Sequence, residues 1–235
     1  MTPVGVVLAG GAGSRMGGRD KALVTLAGRP LLDHVLDRIR PQVAAVAVAA
    51  GDDPGRFAGW DLPALSDPVP GQVEQSLYPV IRGNDKERKI DTATNFHPPY
   101  ANAPPGRAGP LAGILAGMEW AATQGAAWLL SVPTDAPFLP PDLVERLAAA
   151  RGDARIAVAA SGGRTHFVTA LWPVGLAADL RTTLGRDVRK VEDFARRHPL
   201  AIAEFPVTPF DPFLNVNRPE DLAAAEARLL QAGLP

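Results

Sequence analysis

The chain contains no cysteine, and this absence excludes several kinds of chemistry at once. Disulfide bridges, thiolate metal centres and cysteine nucleophiles all require that residue. Histidine is scarce too. The four histidines are His34, His97, His166 and His198, and no two of them stand at the spacing of a metal site. Structural roles are favoured for His34, His97 and His198. Basic and acidic residues balance at 24 against 25, so we expect no nucleic-acid partner.

Long apolar segments are missing as well. The N-terminus has no basic region followed by a long apolar core, and no uninterrupted apolar segment approaches the length that spans a membrane. We therefore expect a cytoplasmic protein that acts on small molecules and has no membrane partner. A length of 235 residues with 46% hydrophobic residues suits one compact domain, spanning residues 1–235, with a substantial core.

A glycine-rich segment follows the apolar run Val4–Leu8, and residues 8–23 read LAGGAGSRMGGRDKAL. Gly10, Gly11 and Gly13 have no Cβ, so they can take positive φ and let backbone N–H groups approach an anion. Three cations within the segment can neutralise that anion: Arg15, Arg19 and Lys21. The segment therefore predicts a site for the phosphates of a nucleotide.

Two common phosphate-binding loops do not fit this segment. The dinucleotide fingerprint requires glycines at i, i+2 and i+5, but counting from Gly11 gives Gly13 and then Met16. The P-loop requires Gly-Lys-Ser/Thr after four spacer residues, but counting from Gly13 gives Gly-Arg-Asp at residues 18–20. A Rossmann dehydrogenase and a Walker-type NTPase are therefore disfavoured.

Strand and helix patterns alternate along the chain, which predicts a single-domain α/β fold with an open, mostly parallel sheet flanked by helices. Predicted strands cover residues 4–9, 43–50, 62–65, 127–132, 156–160 and 167–172. Predicted helices begin at Pro30 and Pro140, cover 111–123 and 188–197, and follow Asn217 at the C-terminal end. The helix after Pro30 should bury Leu32, Val35, Leu36 and Ile39.

Two aspartates follow predicted strands, at the sheet edge where ligands of open α/β sheets bind. Asp135 comes after an apolar strand. A carboxylate fixed beside a triphosphate is a natural Mg²⁺ ligand. Considered alone, Asp135 could simply cap the turn before Pro140. Asp67 stands in an Asp-Pro pair, which by itself signals only a turn. Lys21 can reach phosphate oxygens, with a solvated loop lysine as the alternative.

Four motifs in order carry a resemblance to a known family. They are residues 8–23, GRPLL at 28–32, PTDAPFLPPDL at 133–143 and FLNVNRPEDL at 213–222. The set resembles the nucleotidyltransferase superfamily, and it is most similar to the molybdenum cofactor guanylyltransferases. The resemblance covers most of the chain except a block at about residues 72–106.

The resemblance implies transfer of GMP from GTP to the phosphate of molybdopterin or the molybdenum cofactor, with release of pyrophosphate. It implies Mg²⁺ bound by Asp135, catalytic roles for Arg15, Lys21 and Asp135, and transient contact with other proteins of the cofactor pathway. It assigns nucleotide contacts to Leu8, Ala9, Gly10, Gly11, Lys21, Asp67 and Asp135.

For the pterin, the resemblance points to Asn215 and Asn217. Asn215 is the better ligand candidate, since Asn217 can instead cap the last helix with Glu220 as its capping-box partner. Two departures from the family weaken parts of this assignment. Ala49 stands where some relatives have asparagine near the nucleotide, and Phe167 stands where the motif after His166 usually has proline, so the role of His166 stays open.

The block at residues 72–106 differs in composition from the rest of the chain, since it holds both tyrosines and two of the four lysines. Removing it would restore the family's short loop before the helix at 111–123. We expect a mobile surface-loop insertion rather than a lid over the site, because surface loops lengthen at little entropic cost.

Two other functions stay open. The first is cytidylyl or sugar-phosphate nucleotidyl transfer, and the second is a non-catalytic, nucleotide-binding regulatory protein. Leu-Ala-Gly-Gly at residues 8–11 favours guanylyl transfer over the first alternative, and the presence of both Lys21 and Asp135 argues against the second.

Overall fold

The computed structural model of the chain describes residues 2–10, 21–68, 109–186 and 188–232, and it gives residues 230–232 as backbone only. Within these residues the strands are β1 (Val4–Leu8), β2 (Thr25–Leu26), β3 (Arg29–Pro30), β4 (Val46–Gly51), β5 (Ala64–Ser66), β6 (Trp128–Pro133), β7 (Ile156–Ser161), β8 (Arg164–Pro173) and β9 (Leu200–Phe205). The helices are α1 (Leu31–Ile39), α2 (Pro110–Thr123), α3 (Leu143–Arg151), α4 (Ala177–Gly185), α5 (Val191–Ala195) and α6 (Pro219–Ala232).

Seven of these strands form one sheet in the order β5-β4-β1-β6-β8-β7-β9. Neighbouring strands run parallel except around β8, which lies antiparallel between β6 and β7. The predicted α/β class, with an open and mostly parallel sheet flanked by helices, is confirmed. The strands β2 and β3 form a separate hairpin, whose turn residues Ala27 and Gly28 have φ of 49° and 79° as a two-residue type I′ turn requires.

Helices cover both faces of the large sheet, because side chains along each strand alternate between two cores. Val7 packs into a core shared with α1 and α3, and Val6 packs into a second core shared with α2, α4 and α5. The predicted apolar face of α1 lies in the first core, where four of its side chains are at most 1% exposed: Leu32, Val35, Leu36 and Ile39.

A third, smaller core joins the C-terminal helix α6 to the hairpin. Leu26 and Leu31 pack there with Val216 and Ala225. The predicted capping box of α6 is wrong in its residues. Asp221, not Glu220, accepts hydrogen bonds from the backbone N–H groups of Asn217 and Arg218, both at 2.9 Å, and the Asn217 side chain is engaged elsewhere.

Four elements of the fold were not predicted from the sequence: the helix α4, the edge strand β9 and the two hairpin strands β2 and β3. The block at residues 72–106 lies outside the described residues, so its assignment as an insertion in a single domain stays a prediction. Among the described residues, no helix is both long and apolar enough to cross a membrane.

Candidate active site

A cleft lies at the carboxyl ends of β1, β4 and β6, and its cavity volume is about 260 Å³. These strands are parallel neighbours, so the residues that follow them meet at one edge of the sheet. The predicted site residues that line this cleft are Leu8, Ala9, Gly10, Lys21, Asp67 and Asp135. Ala49, Pro133, Thr134, Val168 and the first turn of α2 complete its walls.

Lys21 and Asp135, which are distant in sequence, form an ion pair in the predicted phosphate site. Lys21 Nζ donates to Asp135 Oδ2 at 2.6 Å and also donates to Asn217 Oδ1. The lysine and aspartate side chains are 22% and 14% exposed, so the pair is mostly withdrawn from water but open to the cleft. Lys21 is therefore held in place rather than solvated at a loop end.

The turn that carries Asp135 is fixed to the rest of the site by backbone contacts. Thr134 donates both its N–H and its hydroxyl to the carbonyl of Leu8, each at 3.3 Å. The N–H of Val216 donates to the carbonyl of Asp135 at 2.8 Å. The aspartate thus sits between the first and the last of the sequence motifs, with little freedom to move.

The second carboxylate oxygen of Asp135 could hold a cation. Asp135 Oδ1 is buried and has no hydrogen-bond partner among the described residues. A buried carboxylate oxygen without a donor is costly unless a cation or another partner reaches it. No cluster of three or more His, Asp or Glu side chains that could hold a metal occurs in the described parts of the chain. One protein carboxylate completed by substrate phosphates is the arrangement that suits Mg²⁺.

Asp67 contributes a second carboxyl group to the cleft, directly after β5. Its backbone N–H donates to the carbonyl of Gly51 at 3.2 Å, which ties it to the end of β4. Burial raises the pKa of Asp67 from 3.8 to about 6, and the negative charge of Asp52 adds to the rise. The charge of this side chain therefore changes in the range just below neutral pH.

The remaining predicted site residues have different positions. Gly11 and Arg15 lie outside the described residues, so their roles stay predictions. Asn215 is exposed, whereas Asn217 is the asparagine that reaches the pair of Lys21 and Asp135. The sequence analysis preferred Asn215 as the pterin ligand because it assigned Asn217 to capping the last helix, whereas the Asn217 side chain contacts Lys21. The pterin contacts of both residues stay predictions.

Arg56 was not predicted to belong to the site. Its Nη2 donates to the carbonyls of Ala9 at 2.5 Å and Ala50 at 2.7 Å, and its guanidinium lies 4.8 Å from the ring centre of Phe57. One cation thereby joins the ends of β1 and β4 where the glycine-rich segment begins. No pattern in the sequence predicts this contact, since it depends on β1 and β4 being neighbours.

Comparison with known proteins by sequence gives the family of the chain. The model of the MobA-like NTP transferase domain matches residues 5–80 and 76–201. A molybdenum cofactor guanylyltransferase of Rhodopseudomonas palustris (strain BisB5) is 49% identical over 226 residues, which cover 94% of this chain and 91% of that protein.

Two solved structures are similar in fold. The molybdopterin-guanine dinucleotide biosynthesis protein A of Archaeoglobus fulgidus has a TM-score of 0.63 at 20% identity, over 97% of this chain and 99% of that one. The Rv0371c protein of Mycobacterium tuberculosis H37Rv, in complex with manganese, has a TM-score of 0.58 at 15% identity, over 97% and 99%. The chain therefore belongs to the MobA-like NTP transferase domain family, together with the molybdenum cofactor guanylyltransferases.

Proposed function

We propose that this chain transfers the GMP unit of GTP to the terminal phosphate of molybdopterin, with release of pyrophosphate and with Mg²⁺ as the divalent cation. The observation that carries the proposal is the fixed pair of Lys21 and Asp135 at the ligand-binding edge of the sheet, with a buried carboxylate oxygen that has no partner in the described part of the chain. The activity named for the 49% identical relative and the manganese in one solved structure support it.

The acceptor brings its own nucleophile. A phosphate monoester is already ionised near neutral pH, so no side chain has to remove a proton from it. One acceptor oxygen forms a bond to the α-phosphorus of GTP while the bond from that phosphorus to the bridging oxygen breaks. Pyrophosphate leaves with the electron pair. The protein must therefore position two anions and neutralise their charge.

Lys21 can donate a hydrogen bond to a phosphate while it keeps its two protein partners. A lysine ammonium group has three donors, and two of them are directed at Asp135 and Asn217. The third remains for a phosphate oxygen in the cleft. Because the side chain is already ordered by its two partners, little further ordering is needed when the substrate binds.

Asp135 would hold the metal through Oδ1 while Oδ2 stays with Lys21. The cation, when bound, neutralises charge on the phosphates. The contribution of the chain is a carboxylate whose position is set by the contacts of Thr134 and Val216. Arg15 is assigned to the phosphates by the resemblance alone.

The experiment is a comparison of GTP with CTP, ATP and UTP as nucleotide donors, with molybdopterin as the acceptor and with Mg²⁺ or after its removal by chelation. We expect kcat/KM for GTP to exceed that for each other nucleotide by at least about tenfold, as expected where a site hydrogen-bonds one base. Chelation should abolish transfer. A preference for CTP would favour the cytidylyl alternative, and nucleotide binding without any transfer would favour a regulatory protein.

A further inference from the structure

A polar cluster lies at the carboxyl end of β7, outside the walls of the nucleotide cleft. The hydroxyl of Ser161 donates to Asp211 Oδ1 at 2.8 Å, and Nε2 of His166 lies 2.8 Å from the same hydroxyl oxygen. Ser161 is fully buried, so its hydroxyl is not available as a nucleophile for a ligand. The role of the cluster must therefore be something other than covalent catalysis.

The proton positions in the cluster follow from the donors available. A carboxylate only accepts, so the single proton of the Ser161 hydroxyl points to Asp211. His166 Nε2 must then carry a proton and donate to the hydroxyl oxygen. Burial lowers the pKa of His166, with Arg164 also lowering it and with Asp211 and Glu204 opposing the shift. The neutral ring with its proton on Nε2 satisfies both hydrogen bonds.

Asp211 is the first residue of the segment 211–217, which ends beside the pair of Lys21 and Asp135. Its Oδ1 also accepts from the N–H of Phe213 at 2.9 Å, so the carboxylate closes the first turn of residues 211–217. Phe213 is 3% exposed, and its ring packs at 4.7 Å from the ring of His166 and at 5.1 Å from that of Phe205. One end of the segment is thus fixed to the sheet.

The other end of the segment meets the site. Val216 is fully buried and its N–H donates to the carbonyl of Asp135 at 2.8 Å. The next residue, Asn217, accepts from Lys21. Residues 211–217 contain no helix or strand, so the position of Asn217 depends on these two points of attachment and on the hydrogen bond from its own N–H to Asp221 at 2.9 Å.

We propose that Asp211, held by Ser161 and packed beside His166, is a positioning residue that sets the place of Asn217 and through it orders Lys21. This inference rests on the proposed function for its effect on catalysis, but not for its effect on Lys21. A shift of about 1 Å in a positioning group can reduce a rate about 100-fold, so a contact distant from the chemistry can matter.

The direct test measures how fast Lys21 is acetylated by acetic anhydride, read by mass spectrometry and divided by the rate at the exposed Lys190. We expect this ratio to rise at least about threefold in Asp211→Ala, Ser161→Ala and Asn217→Ala, the effect of modest coupling within one network. It should stay unchanged in Asp211→Asn, whose side-chain oxygen still accepts from Ser161 and Phe213.

The matched control is Ser131→Ala. Ser131 is also a fully buried serine with two hydrogen bonds, to the carbonyl of Val168 and from the indole of Trp172, and neither of them joins it to residues 211–217. It should lower the melting temperature about as much as Ser161→Ala and leave the acetylation ratio unchanged. Equal ratios in Asp211→Ala and the wild type would overturn the proposal, and so would a ratio in Ser131→Ala that rises as much as in Ser161→Ala.

Kinetics supply the second readout. We expect kcat/KM to fall about tenfold in Asp211→Ala and to be restored in Asp211→Asn, and we expect Asp211→Ala to cost nothing further in the Asn217→Ala background. Additive losses would mean that Asp211 does not act through Asn217. If the wild type transferred no nucleotide while the acetylation ratios changed as expected, the proposed function would fail and the positioning role would stand.

Discussion

The two carboxyl groups of the cleft have different surroundings and therefore different chemistry. Asp135 is paired with a lysine on one oxygen and has no partner among the described residues on the other, which suits a metal ligand. Burial and the negative charge of the nearby Asp52 raise the pKa of Asp67 to about 6, so the ionisation of this side chain depends on the pH. A nucleotide that donates hydrogen bonds to Asp67 favours the ionised form.

The first prediction at the residue scale concerns pH. We expect kcat/KM for GTP to fall as the pH is lowered from 7 to 5, because Asp67 takes up a proton and loses an acceptor oxygen. Asp67→Asn should lose this part of the pH dependence. The nucleotide's own phosphates titrate equally with both proteins, so the measurement is the ratio of the two profiles. A ratio that is constant from pH 5 to 8 would contradict a role for Asp67 in binding.

The same pKa shift has the opposite sign for stability. The folded protein binds a proton at Asp67 more tightly than the unfolded chain does, so this group contributes less stability as the pH rises from 3.8 to about 6. Urea unfolding of the wild type and Asp67→Asn should therefore show a stability difference that changes across this window. Below it the difference should be constant.

At the scale of elements, the helix α2 brings its backbone unusually close to the sheet. A Cβ built on Gly117 would lie 2.8 Å from Cγ1 of Val6 and 3.0 Å from Cδ2 of Leu129, and a Cβ on Gly113 would lie 2.9 Å from Cδ2 of Leu8. These two glycines, four residues apart, face the strands whose ends form the cleft. Close packing of α2 therefore fixes one wall of the nucleotide site.

We predict that Gly117→Ala destabilises the protein by about 1–3 kcal/mol, the usual cost of inserting a methyl group into a closely packed core. Its neighbours Val6 and Leu129 are fully buried and cannot move aside cheaply. The control is Gly175→Ala, because a Cβ at Gly175 meets no atom within 4 Å and φ there is not positive. This variant should stay within about 0.5 kcal/mol of the wild type. Equal denaturant midpoints for the two variants would contradict the packing argument.

At the scale of the whole molecule, residues from the beginning, the middle and the end of the chain come together in the site. Lys21 lies 114 residues from Asp135 and 196 residues from Asn217 in sequence, yet it binds both. The third core holds these parts together by packing α6 against the hairpin that follows Lys21. The site therefore depends on the last motif of the sequence as much as on the first.

Part of this site could be predicted from the strand pattern. The carboxyl ends of parallel strands meet where ligands bind, which placed Asp135 at this edge, and the resemblance to the family added Leu8 and Asp67 to the same cleft. The choice between Asn215 and Asn217 could not be made in that way, because it depends on how residues 211–217 are attached at both ends. Contacts that join distant parts of the chain leave no periodic signal in the sequence.

The fold, too, was predicted where the signal is local and was missed where an element is defined by contacts with distant residues. Val4–Leu8 and Trp128–Pro133 are continuous apolar runs typical of buried parallel strands, and they were placed within a residue or two. Leu200–Phe205 is an edge strand with Ile202 52% exposed, and its pairing with β7 is the contact that defines it. Most side chains of this strand are partly or fully exposed, so local pattern alone did not identify it.

The central claim is that Asp135, paired with Lys21, is the catalytic carboxylate of the transfer. The most direct test is the turnover number of Asp135→Asn with GTP, molybdopterin and Mg²⁺, measured beside Asp142→Asn. Asp142 is a matched control, because it lies seven residues away with its side chain 47% exposed in a loose pair with Arg146. We predict that Asp135→Asn keeps its melting temperature within a few degrees but loses about 100-fold or more in kcat, while Asp142→Asn stays within about twofold. A folded Asp135→Asn protein with a turnover number near that of the wild type would contradict the account.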